Sequence, residues 1–95
     1  MFTKVYALSD SEFRSLIVDL FEGIREEFGE RARKLDEHFL EDFLMGAFED
    51  LLREGGVDGM IVFGDGVEEI YEPADFVEYV RRRYGRRLSD LVKTF

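Results

Sequence analysis

DEHFLEDFLMGAFEDLLREG, from Asp36 to Gly55, carries more apolar surface than one helix can cover by itself. Phe39, Leu40, Phe43, Leu44, Ala47, Phe48, Leu51 and Leu52 recur at i, i+1, i+4, i+5, which draws a wide apolar stripe at helical period. A stripe that wide needs neighbours on two sides. It predicts a central helix that the rest of a small mixed domain wraps. Asp36 is placed to cap its start, and Leu35 with Leu40 to form a hydrophobic staple. Gly55-Gly56 ends the run, with Gly55 suited to a left-handed cap.

Upstream, Ser9 and Glu12 have the spacing of a capping box, with Leu8 and Phe13 as a second staple. Phe13, Leu16, Ile17, Leu20, Phe21, Ile24 and Phe28 then hold one helical face. Gly29 is a stop for this helix, although Glu30 to Lys34 has the composition to extend it by a turn. A short connection predicts that the first two helices form an antiparallel pair. Before them, Thr3 to Leu8 reads as a short strand around Val5 and Tyr6.

Downstream, Met60–Phe63 and Val67–Tyr71 flank Gly64-Asp65-Gly66, a strong hairpin signal. A two-residue turn pairs Gly64 with Val67 and puts Ile61, Phe63 and Ile70 on one face; a three-residue turn shifts that register. Pro73 suits the first position of a further helix, whose apolar face runs from Phe76 through Val77, Val80, Tyr84, Leu88, Leu91 and Val92 to Phe95. Gly85 splits it into one bent helix or two short ones. The expected fold is a single α+β domain over residues 1–95, ordered β-α-α-β-β-α, with the central helices packed against a small antiparallel sheet and a C-terminal helix.

Ten Phe and four Tyr among 95 residues call for a dense aromatic core, or for aromatics shared across a subunit interface. Cysteine is absent, which excludes disulfides, thiolate metal sites and a cysteine nucleophile. Asn and Gln are absent too, while Glu and Arg are abundant, the profile expected of a protein from a hot environment. The N-terminal run MFTKVYALSD lacks a signal-peptide core, and no stretch approaches the ~18 apolar residues of a membrane span, so the expected location is cytoplasmic.

The formal charge is −9, unevenly spread. Residues 1–73 hold nineteen acids against seven bases, whereas residues 74–95 hold six bases against three acids. An acidic body opposes phosphate backbones. The basic end is concentrated in YVRRRYGRR, where Arg81, Arg82, Arg83, Arg86 and Arg87 stand among Tyr79 and Tyr84. Arginine recognises phosphate and carboxylate alike, and tyrosine stacks on bases, so the patch suits nucleic acid or acidic protein surfaces. Ample acids on the two long helices favour protein-facing roles. Consecutive arginines also diverge around a helix and cannot all meet one duplex face. The helix before the hairpin is dominated by acids, with one arginine, Arg53, so it lacks the basic recognition surface of a winged helix.

His38, Glu41 and Asp42 are the weak metal candidates, within reach of one another along one helix surface, with Glu37 beside them. They lack the HExxH order and the Glu-x-x-His pattern of diiron bundles. Asp19, Glu22 and Glu26 form a carboxylate row, a pattern that an exposed helix face explains as well as a divalent-ion site does. The glycine-rich stretches have neither phosphate-loop spacing nor the strand-loop-helix order that nucleotide binding needs. One histidine leaves no case for a hydrolytic triad. No cofactor is implied. The reading with most support is a non-enzymatic protein–protein interaction or structural module acting as a homodimer. A small nucleic-acid-associated regulator using Arg81–Arg87 and a metal-dependent enzyme are the alternatives.

Overall fold

The computed structural model describes residues 3–95; Met1 and Phe2, at the head of the N-terminal run considered above, lie outside them. The elements are β1 (Val5–Ser9), α1 (Asp10–Phe28), a 3-10 segment (Gly29–Lys34), α2 (Glu37–Gly55), β2 (Gly59–Phe63), β3 (Val67–Ile70), α3 (Pro73–Tyr84) and α4 (Leu88–Thr94). This is the expected α+β order, with Gly85 separating two C-terminal helices. The sheet order is β1-β2-β3. β2 and β3 form the antiparallel hairpin, and β1 joins β2 in parallel, as a strand does when a long helical connection returns the chain to the same end.

Local chemistry fixes the helix ends. The Ser9 hydroxyl accepts the Glu12 N–H at 3.1 Å while the Glu12 carboxylate accepts the Ser9 N–H at 2.9 Å, so both halves of the capping box form. Such a cap contributes about 1 kcal/mol. The Asp36 carboxylate accepts the His38 N–H at 2.8 Å and starts α2. At the other end of α2 the left-handed residue is Gly56 (φ 63°), not Gly55, which stays helical. The Gly56 N–H reaches the Arg53 carbonyl and the Val57 N–H reaches that of Leu52, closing the last turn.

The buried faces follow helical period. Phe13, Ile17, Phe21 and Ile24 of α1 are fully buried, as are Leu40, Leu44 and Phe48 of α2. Each such side chain contributes about 1.5–3 kcal/mol relative to exposure. Phe13 meets Phe76 edge-on at 5.9 Å, and Phe48 stacks on Phe76 at 4.9 Å, so aromatic rings tie α1, α2 and α3 together. The stripe of α2 is wider than its buried ridge: Phe39 remains 41 % exposed at its margin, edge-on to Phe28. The 3-10 segment sets α2 away from α1, and α2 lies closest to α3 rather than pairing with α1.

The hairpin pairs Phe63 with Val67, so three residues, Gly64 to Gly66, make the turn. Neither Asp65 nor Gly66 adopts the left-handed backbone that a two-residue Asp-Gly turn requires. The register therefore moves by one, and Met60, Val62 and Ile70 enter the core while Ile61 and Phe63 face away from it.

Candidate functional site

Phe76, Val77, Tyr79 and Val80 bury one side of α3, which leaves the following arginines to fan outward. At about 100° per residue, Arg81, Arg82 and Arg83 point three ways, and each finds its own acid. Arg81 bridges two carboxylates of α2, Glu37 at 2.8 Å and Glu41 at 2.5 Å. Arg82 pairs with Glu68 of β3 at 2.5 Å and lies over the Tyr79 ring, 5.4 Å from its centroid. Arg83 pairs with Asp10, the first residue of α1. Arg86 and Arg87, in the connection to α4, are exposed and form no ion pair among the described residues.

The tyrosines of this stretch face inward. Tyr79 is 7 % exposed and meets Phe13 edge-on at 5.2 Å; burial raises its pKa. Tyr84 stacks on Phe13 and meets Phe95 edge-on, its hydroxyl buried without a hydrogen-bond partner. Burial, reinforced by Asp10, raises its pKa as well. Neither ring is presented to a base.

Glu37 does more than meet Arg81. Its carboxylate also accepts the backbone N–H groups of Leu88 at 2.7 Å and Ser89 at 2.9 Å, so it caps α4 from 51 residues upstream. Partial burial pushes its pKa up, but the hydrogen bonds from Arg81, Ser89 and Leu88 outweigh that and hold it below the usual carboxylate value. His38, Glu41 and Asp42 do not close into a ligand set. The His38 side chain is 80 % exposed with Nδ1 3.5 Å from Glu41, Glu41 is also held by Arg81, and Asp42 faces solvent. Asp19, Glu22 and Glu26 are likewise exposed along α1. Among the described residues no group of three or more such side chains is gathered to hold a metal ion.

A different surface emerges from the strand register. Tyr6, Leu8, Met60, Val62 and Ile70 pack inward on the helices. Alternation sends Val5 and Ala7 of β1, Ile61 and Phe63 of β2, and Val67 of β3 to the opposite face. Phe63 is 49 % and Val67 64 % exposed. Tyr71, 40 % exposed, lies across Gly59, where an added Cβ would stand 2.3 Å from the ring. Glu69, on the edge strand β3, is the charged side chain of this face, and it accepts the Tyr71 hydroxyl at 3.1 Å. The sequence signal for this face was the Phe63–Val67 pair, which a two-residue turn would have misaligned. Among the described residues no helix is long and apolar enough to cross a membrane. No protein-family model matches the chain, and neither a curated protein nor a solved structure matches it.

Proposed function

We propose that this protein is a non-enzymatic protein–protein interaction module that acts as a homodimer, joined through the open face of its sheet. The observation that carries the reading is that face itself: Phe63 paired with Val67, Ile61 and Tyr71 on the same side, flanked by Val5 and Ala7, with one acid, Glu69, on the edge strand between Val67 and Tyr71. An apolar centre with a polar margin is the anatomy of a recognition surface. Three strands about 4.8 Å apart and four or five residues long present a patch roughly 15 Å on a side, which suits an exchangeable dimer more than an obligate one.

A second copy is the occupant that this face fits. Two chains of charge −9 repel at long range, so the surface on which they meet must be poor in charge, and this one is. Nucleic acid finds less support, because Arg81, Arg82 and Arg83 already hold acids of their own chain, which leaves Arg86 and Arg87. The two partners respond oppositely to salt. Screening of like charges tightens the dimer, whereas counterion release weakens a complex with nucleic acid. Native mass spectrometry and sedimentation equilibrium at two protein concentrations and two salt concentrations are the test. A dimer that grows with both concentration and salt is expected; a monomer under all four conditions would overturn the reading.

A further inference from the structure

Four of the cations that form no ion pair among the described residues stand around one depression. Arg25 comes from the last turn of α1, Arg33 and Lys34 from the 3-10 segment, and Lys93 from the end of α4. Arg25 is half-buried, and its Nη1 donates to the Val92 carbonyl at 3.1 Å, which ties α1 to α4 and fixes that wall. The cavity measures about 490 Å³, and Ala32 and Val92, both buried, close it off from the core. That volume is within the range of small-molecule sites.

The charge balance is unusual for so acidic a chain. Against four cations stand Glu30, which also lines the depression, and the C-terminal ends of α1 and α4, worth about half a negative charge each. Roughly two positive charges remain uncompensated. Elsewhere on the molecule Arg53, Arg81, Arg82 and Arg83 each meet an acid within 4 Å. Here a single acid, Glu30, stands among four cations, although the chain has twenty-two acids.

We infer that this depression binds a small phosphate monoester, its dianionic phosphate held by Arg25, Arg33, Lys34 and Lys93 and its organic part lying along the aliphatic stems of those side chains. Phosphate carries close to two negative charges at neutral pH, which matches the excess, and guanidinium groups offer paired donors to its oxygens. Concavity favours a small molecule. A duplex approaching this end would also meet the exposed Glu22, Glu26 and Glu27 of α1. The site lies apart from the open sheet face, so it stands or falls independently of the dimer.

The test is a titration of the ¹⁵N-labelled protein, followed by amide chemical shifts, with inorganic phosphate, a simple sugar phosphate, a 5′-phosphorylated oligonucleotide and sodium chloride as the ionic control. Saturable shifts are expected at Gly29–Lys34 and at Val92 and Lys93, larger in affinity for the sugar phosphate than for phosphate alone. Arg33→Glu with Lys93→Glu, both at exposed positions, should weaken binding about tenfold or more while leaving the spectrum folded. Shifts that chloride reproduces, that centre on Arg86 and Arg87, or that persist in the double variant would overturn the inference. Tighter binding of the oligonucleotide than of the sugar phosphate would do so as well.

Discussion

Tyr79–Arg87 and the outer face of the sheet make opposite impressions in sequence and in structure. The first holds five arginines and two tyrosines, the strongest local composition signal in the chain, yet three of its arginines are engaged by Glu37, Glu41, Glu68 and Asp10. Both of its tyrosines turn into the core. The second is drawn from three separated segments with ordinary residues, yet it leaves Phe63, Val67 and Tyr71 exposed on one face. Composition reports which groups a segment owns. It does not report whether the rest of the fold has already satisfied them.

Substitution can break the comparison from either side. Phe63→Asp places two new charges in each dimer and should raise its dissociation constant about a hundredfold or more, read by sedimentation equilibrium. The same variant should change monomer stability by about 1 kcal/mol or less, because Phe63 is half exposed. An unaltered dimer would move the interface elsewhere. Glu37→Ala should cost about 2 kcal/mol in chemical denaturation, since it strips Arg81 of a partner and leaves the Leu88 and Ser89 N–H groups without one.

Acid sharpens the same point. A carboxyl whose folded pKa is lowered contributes stability that is complete above its unfolded value and is lost as pH falls through the folded one. For Glu37 the gap between wild type and Glu37→Gln should therefore be full above pH 4.5 and close below it. A gap that stayed constant into acid would mean that the charge on Glu37 contributes nothing. The smallest effect belongs to Arg82→Ala: with Arg82 58 % and Glu68 32 % exposed, the loss should be about 0.5 kcal/mol or less. A cost as large as that of Glu37→Ala would make Arg82 a structural element in its own right.

Much of the fold was legible because it is written locally. The Ser9–Glu12 box, the Asp36 cap, Pro73 at the start of α3 and the break at Gly85 each involve residues a few positions apart, and each acts where the spacing places it. What was not legible depends on distance. One extra residue in the Gly64–Gly66 turn reverses which side of β2 is buried, and no nearby side chain announces it. The open sheet face needs that register together with the parallel pairing of β1, set across fifty-odd residues. Divergence of the three arginines followed from helical period alone, but the identity of their partners required α2, β3 and the start of α1 to be in place.

The cap that Glu37 supplies to α4 bears on how this molecule opens. Seven residues are too few for a helix to persist unaided, so α4 has little existence apart from the carboxylate and core that hold it. Helices this short ordinarily fray, and their amide hydrogens are among the first to exchange with solvent. The amides of Leu88 and Ser89 are anchored instead to the first turn of α2. Their deuterium uptake should keep pace with the release of that helix, so the C-terminal segment and the middle of the chain come apart as one cooperative unit.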